Sequence, residues 1–363
     1  MDATSLDWNP PDDWRRVETL DAHTGGEPLR IVLDGLPELE GETLLEKRRY
    51  MRDEFDDYRR LLMHEPRGHA DMYGAILTEP TDERADVGVL FTHNEGYSTM
   101  CGHGIVALGV AFVEAGPCEP GDDIVFETPA GLVTATTRGD ESGVDHVAFE
   151  NVPAFVYARN RNVAVPGLGA VAYDVAFGGA FYAYVEAADV GVGLGREDAA
   201  ELVDVGRRIK RAVADDLAIQ HPTEDDLSFL YGTIFVDDEP ESGADSRNVC
   251  VFADGEVDRC PTGTGVSGRL ALLAADERVG PGERFTVESI VDSRFTGWYD
   301  EETAFEGYDA VVPTVRGSAH ITGTQTFVVD PDDPFPAGFL LRACHRIHLI
   351  VSHSPVRFLA RSW

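Results

Sequence analysis

Apolar residues along this chain fall mostly in short runs broken by glycine, proline and charged turns, a pattern of many strands and few helices. After residues 1–14, an acidic, proline-bearing stretch that reads as a flexible arm, Val17–Leu20 and Leu29–Val32 predict two strands. Asp21-Ala22-His23-Thr24-Gly25-Gly26-Glu27-Pro28 lies between them as a turn, which makes a hairpin-like start with loop residues facing a cleft. Residues 43–62 are charged, with Leu44, Leu45, Met51 and Tyr58 forming one apolar face, and predict a helix. Tyr73–Leu77 and Val87–Phe91 predict strands, and from Ile124 to Phe155 short β-rich runs alternate with turns. A shift in composition over Asn160–Gly169 reads as the crossing between two halves, 15–158 and 159–340. Beyond it come a strand-like stretch over Val171–Val185, an amphipathic helix over Ala199–Ile219 and strands over 229–236, 248–252 and 284–289. Alternating strand and turn continue to about Val329, and these last strands are free to return to the first half. The tail, 341–363, receives no role.

Two apolar helical runs break the β pattern, and each is opened in the same way. Met100-Cys101-Gly102-His103-Gly104 leads into Ile105–Val113, and Asp258-Arg259-Cys260-Pro261-Thr262-Gly263-Thr264-Gly265 leads into Val266 and Leu270–Leu273. Small residues opening a helix leave several backbone N–H groups unpaired at a positive dipole end, so each opening is an anion cradle. Cys101 sits at the first, the setting that lowers a thiol pKa. Two such cradles, one bearing a thiolate, predict chemistry at a carbon next to a carboxylate. The fold class that follows is α+β, with two β-rich halves duplicated in outline, each around one central helix, and the active site in the cleft between them.

Composition narrows the partners. The chain has 363 residues, enough for two domains, and its formal charge of −35 argues against nucleic acid and anionic membranes. Lysine occurs only at Lys47 and Lys210, and an acidic, lysine-poor surface resembles that of salt-adapted cytosolic proteins. Five cysteines without paired spacing favour free thiols in a reducing compartment, and the N-terminus has neither the basic start nor the apolar core of a signal peptide. The longest apolar helical run is too short to span a bilayer, so the expectation is a cytoplasmic protein.

Two familiar motifs are set aside. Gly263-Thr264-Gly265-Val266-Ser267-Gly268 matches a dinucleotide fingerprint, with Glu288 downstream, but its lead-in is polar and no βαβ unit precedes it. His64, His69, His93 and His103 suggest zinc, yet none has the helical spacing of a metalloprotease site, so loop histidines are the better reading and no metal is expected. Cys101, flanked by glycines at a helix opening, stands apart from Cys118, Cys250 and Cys344, which read as structural. Asp258, at the mouth of the second cradle, suits a substrate ammonium.

The spaced motifs Asp21–Pro28, Glu65–His69, Asn94–Gly104, Phe177–Tyr182, Ser293–Gly297 and Gly323–Phe327 together resemble the proline racemase family, whose members include 4-hydroxyproline 2-epimerases and trans-3-hydroxy-L-proline dehydratases. The resemblance runs from Asp21 to about Gly338 and implies a diaminopimelate epimerase-like fold of two pseudo-symmetric halves, a small imino acid substrate, no cofactor and a possible homodimer. Racemases of the family use two cysteines, one on each face of the α-carbon. Cys101 matches the first, and Thr262 stands where the second would be. A threonine hydroxyl has no accessible ionised form near neutral pH, so one face lacks an acid or base. The resemblance therefore implies elimination of water: Cys101 takes the α-proton, the N–H groups of Gly102, His103, Gly263 and Thr264 hold the carboxylate, and Asp258 and His103 contact the ring nitrogen. What protonates the departing hydroxyl is left open among His103, a water and the recycled cysteine proton. The alternatives are epimerisation or racemisation with Cys260 as second base and, more remotely, a non-catalytic amino-acid-binding protein.

Overall fold

A computed structural model describes residues 8–140 and 142–341; the expectations for residues 1–7 of the arm and for the tail from 342 onward, Cys344 included, lie outside them. The first half contains β1 (Arg15–Thr24), β2 (Glu27–Asp34), α1 (Leu44–Glu54), α2 (Asp56–Met63), β3 (Tyr73–Thr78), β4 (Val87–His93), α3 (Gly102–Glu114), β5 (Asp123–Thr128), β6 (Gly131–Asp140) and β7 (Gly143–Glu150). β1 and β2 form the expected hairpin, turned at Gly25 and Gly26 with φ of +56° and +94°, conformations open to glycine at little cost. Pairing then runs β2–β3 parallel, β3–β4 antiparallel, β4–β5 parallel, and β5–β6 and β6–β7 antiparallel.

The second half contains β8 (Ala154–Val165), β9 (Gly169–Phe177), β10 (Phe181–Glu186), α4 (Ala187–Val190), α5 (Ala199–Asp216), β11 (Leu230–Asp237), β12 (Ser246–Phe252), β13 (Glu256–Val257), α6 (Gly263–Ala275), β14 (Phe285–Glu288), β15 (Arg294–Phe305), β16 (Tyr308–Gly317) and β17 (Ala319–Val329). Here the order β8, β9, β10, β11, β12, β14, β15, β16 closes into a barrel, because β16 returns to β8 through Ala310 and Val311. The far end of β16 pairs with β7, and β17 then runs antiparallel to β1 from Thr24 back to Arg15, so the first ring closes as well. One continuous stretch, 308–329, is thus a wall of both barrels.

Each barrel encloses a helix. Residues 102–111 of α3 and 263–273 of α6 are buried on every side, which is stable only where protein surrounds the helix and any buried charge is paired, as Arg269 is with Asp238 at 2.7 Å. α1 and α2 pack outside on β3 and β4, and α5 outside on β11 and β12.

Three local expectations need correction. Residues 43–62 form two helices, because Phe55 leaves the helical region at φ −133° and packs edge-on against Tyr50 and Tyr58; Asp56 then opens α2 and holds Arg59 at 2.6 Å. The stretch 160–169 is no crossing between halves, and the boundary at 158/159 falls inside β8. That stretch is the β8–β9 hairpin, closed by Leu168 N–H on the Val165 carbonyl at 3.0 Å. The chain crosses instead at Asn151–Pro153, where the Asn151 amide donates to the Gly178 carbonyl at 2.8 Å and to Ser267 at 2.9 Å, tying it to the second barrel. Finally, 171–185 is two strands, broken at Gly178-Gly179.

Candidate active site

The two enclosed helices meet at their N-termini. A Cβ on Gly102 would lie 2.7 Å from the Gly263 Cα, a Cβ on Gly263 would lie 2.8 Å from the Gly102 Cα, and the Phe149 ring closes the other side at 2.8 and 3.0 Å. Only glycine at both positions permits this approach. It sets two positive helix ends side by side, each with unpaired first-turn N–H groups, which is a site for a carboxylate.

Cys101 caps α3: its backbone is extended, and its sulfur accepts from the Gly104 N–H at 3.2 Å. His103 Nδ1 lies 3.2 Å from the same sulfur. Thr262 opens α6 with φ +65°, rare for a β-branched residue and held there by its surroundings. Its hydroxyl donates to Asp258 Oδ2 in a short hydrogen bond, and its N–H points to Cys260 Sγ at 3.4 Å. The structure gathers Cys101, Gly102, His103, Asp258, Thr262, Gly263 and Thr264 around one small cavity, with Tyr73, Tyr182, Tyr231 and Phe252 as its walls. Tyr73 donates to Ser98 at 2.6 Å and meets the Tyr231 hydroxyl at 3.3 Å, while Tyr182 bonds Thr264 Oγ1 at 2.8 Å.

Burial governs the charges. The expectation of a lowered thiol pKa does not hold: burial pushes the Cys101 thiol well up, and the Gly104 N–H offsets only part of that. Burial likewise pushes His103 down to about 3, against a hydrogen bond to the Pro28 carbonyl. The imidazole is therefore neutral at pH 7, and its contact with Cys101 is not an ion pair. Asp258 is pushed up to about 7 by burial, with the Thr262 hydrogen bond and Arg259 opposing. Glu27, fully buried nearby, is also raised by burial and by Asp258; its Oε2 accepts the Arg259 N–H at 2.6 Å, and its Oε1 has no hydrogen-bond partner among the described residues.

A raised carboxyl destabilises the fold as pH rises. Below the ordinary carboxylate range the group is protonated in folded and unfolded chains alike. Above it the unfolded chain ionises first, so stability falls from about pH 4 until the folded Asp258 itself ionises. Asp258→Asn is expected to raise Tm more at about pH 8 than at about pH 5. If Asp258 pairs with a cationic ligand in this cavity, the same change should weaken that ligand's binding by roughly 10–100-fold, the worth of a hydrogen bond to a charged group. Melting curves at the two pH values and a binding titration check both; a Tm gain independent of pH would count against a raised Asp258.

The histidines disperse: His64 bonds the Asn94 carbonyl, His69 the Ala70 carbonyl, and His93 bonds Glu256 at 3.1 Å. Among the described residues one group of possible metal ligands converges, His103, Asp258 and Cys260, with ligand atoms within 4.8 Å of one another. Cys250 is buried within β12 and Cys118 is half-buried at the end of the first barrel's helix region. Glu27 and the tyrosine walls are the site residues that sequence reasoning left unassigned. Glu27 and Tyr182 lay inside motifs singled out there, whereas Tyr73 and Tyr231 carry no local signal beyond strand propensity.

The sequence pattern that defines the proline racemase family matches residues 19–340, and the chain belongs to that family. It is 46% identical over 341 residues to a protein of Colwellia psychrerythraea named trans-3-hydroxy-L-proline dehydratase, covering 92% of this chain and 96% of that one. It is 45% identical over 350 residues to the trans-L-3-hydroxyproline dehydratase of Xenopus tropicalis, covering 94% and 100%. The fold is similar to that of a hydroxyproline epimerase from Agrobacterium vitis solved with bound trans-4-hydroxy-L-proline: TM-score 0.84, 30% identity, 90% of this chain and 96% of that one.

Proposed function

We propose that this protein is a trans-3-hydroxy-L-proline dehydratase that works without a second acid–base cysteine. The observation that carries this reading is the asymmetry of the two helix openings, a thiol at Cys101 and a threonine hydroxyl at Thr262 engaged with Asp258. The substrate carboxylate sits between the helix ends on the N–H groups of Gly102, His103, Gly263 and Thr264. Its ring ammonium faces Asp258 and neutral His103. That cation favours ionised Asp258 and counteracts the burial that holds the Cys101 proton.

Stereochemistry then names the acid. In the trans-3-hydroxy-L isomer the carboxylate and the 3-hydroxyl lie on opposite ring faces, so the α-hydrogen and the hydroxyl share one face. Cys101 thiolate takes the α-proton, negative charge spreads into the carboxylate held at the helix ends, and the same thiol returns the proton to the departing hydroxyl. Thr262, on the opposite side, positions the ring and takes no proton. The product is the enamine of pyrroline-2-carboxylate, which tautomerises to the imine.

A second reading, epimerisation with Cys260 as the other thiol, rests on Cys260 lying within 4.8 Å of His103 and Asp258 ligand atoms. Cys260 is buried and is not among the residues that line the cavity, and its sulfur accepts from the Thr262 N–H at 3.4 Å, so serving as a base requires the α6 opening to rearrange. Incubation with trans-3-hydroxy-L-proline, with the imine trapped by an aldehyde reagent, beside polarimetry on L-proline and trans-4-hydroxy-L-proline, tests both. Imine without rotation change in the other two substrates is expected. Rotation change without imine would replace the first reading by the second.

The two barrels, each with an enclosed helix opened by Gly-x-Gly, support a diaminopimelate epimerase-like pair of pseudo-symmetric halves. Free thiols at Cys101, Cys118, Cys250 and Cys260 fit a reducing cytoplasm. The charge of −35 with two lysines fits a salt-adapted chain, in which dissolved ions screen the self-repulsion of the carboxylates. Tm is accordingly expected to rise by roughly 10 °C or more between about 0.1 M and 2 M KCl; a salt-independent Tm in calorimetry would sink the halophilic reading.

A further inference from the structure

We propose that this protein also exchanges the α-hydrogen of L-prolines lacking a 3-hydroxyl with solvent, with retention of configuration. The proposal rests on the dehydratase reading but extends to substrates from which nothing can be eliminated.

Everything that holds the reacting carbon in that reading is independent of the 3-hydroxyl. The carboxylate binds between Gly102 and Gly263, where two helix N-termini converge, and the ammonium binds Asp258. Cys101 therefore meets the α-carbon of L-proline or trans-4-hydroxy-L-proline as it meets that of the 3-hydroxy substrate. Its thiolate breaks the C–H bond, forming S–H and leaving the electron pair on a carbanion delocalised into the carboxylate. With no leaving group on the neighbouring carbon, the carbanion can only be reprotonated.

In the dehydratase reading the one thiol at the cavity is Cys101, on one face; Asp258 is held ionised by the ring ammonium and so brings no proton, and Cys260 is not among the residues that line the cavity. Thr262 is committed to Asp258 and its hydroxyl is far too weak an acid to quench a carbanion in competition with a thiol. His103 shares the Cys101 side, at 3.2 Å from its sulfur, and burial keeps it unprotonated, so it offers no cation on the opposite face. Tyr182 is engaged with Thr264, and burial pushes its hydroxyl well above the ordinary tyrosine range. The proton on sulfur exchanges with solvent and a solvent proton is delivered back by Cys101 to the face it left. The C–H bond re-forms, the thiolate is regenerated, and the L configuration survives.

The test is incubation of the full-length protein in high-salt D2O with L-proline and, separately, trans-4-hydroxy-L-proline. Proton NMR follows the α-hydrogen and chiral chromatography follows the configuration, with trans-3-hydroxy-L-proline dehydration measured on the same preparation. The expected result is loss of the α-proton signal to near completion in both compounds, with no D-proline and no cis-4-hydroxy-D-proline. Cys101→Ala should abolish the exchange, and Thr262→Cys should add the epimer. Exchange accompanied by the D product in the unaltered protein would overturn retention. No exchange in a preparation that dehydrates the 3-hydroxy substrate would overturn the proposal and leave the dehydratase reading standing. A preparation inert toward all three compounds would overturn both.

Discussion

Alanine in place of Cys101 is expected to lower kcat for trans-3-hydroxy-L-proline by roughly 10²–10⁴-fold, the contribution of a positioned general base. The loss should be deep because the neighbouring groups are engaged or weak: Cys260 is buried with its sulfur accepting from the Thr262 N–H, Asp258 accepts from the Thr262 hydroxyl, and neutral His103 is too weak a base. The folded state should survive, since only one small buried side chain is removed and the α3 N-cap it supplies is worth about 0.5–2 kcal/mol. Cys101→Ser is the sharper control. A hydroxyl retains the cap on the Gly104 N–H while losing the ionisable proton, so it separates capping from catalysis. Circular dichroism and steady-state kinetics on both variants decide the point, and near-normal turnover in Cys101→Ser would remove the thiol from the mechanism altogether.

Alanine at Gly102 or at Gly263 should be as damaging by a different route. Each added methyl would stand less than 3 Å from backbone of the opposite helix, with the Phe149 ring behind it. Backbone cannot rotate away as a side chain can, so the helices must separate or tilt. Overpacking of this kind costs about 1–3 kcal/mol, and more where relaxation is blocked. Because the proposed carboxylate cradle is built by those two helix ends, activity should fall by at least about 100-fold, as expected for misplacement by about 1 Å. Gly96→Ala, four residues before Met100 and with open space around it, is the matched control and should leave both Tm and turnover unchanged. Comparable effects at Gly96 and Gly102 would show that helix-to-helix contact is not what the glycine provides.

What could be read from the amino-acid sequence was what is local. A small-residue loop followed at once by an apolar run announces both cradles, whose residues line one cavity, whereas the particular significance of Thr262 comes from the family resemblance. The hairpin at Gly25-Gly26 is equally local. Barrel closure is not: β17 pairs with β1 across some three hundred residues, and nothing in Thr322–Val329 indicates which edge it will join. The break at Phe55 depends on ring packing with Tyr50 and Tyr58 that no helical periodicity encodes. The thiol pKa of Cys101 is not legible in sequence: a helix opening can be recognised there, whereas the burial that outweighs it follows from walls contributed by Tyr73, Tyr182, Tyr231 and Phe252, on four different strands. Glu27 belonged to a recognised motif, but its significance comes from lying beside Asp258, more than two hundred positions away.

The stretch 308–329, which seals both rings, bears on how the protein is made. A ribosome releases the first seven strands long before that stretch exists, leaving the outer edge of β1 without its partner and β7 unpaired on one side. Open edges of this length template pairing with other chains. Neither barrel can close until residues 308–329 have emerged, so the nascent chain remains an unclosed sheet up to that point and is exposed to misassembly during the interval. Chains truncated before Tyr308 should then accumulate in aggregates as two open sheets, with neither half recovered as an independent domain.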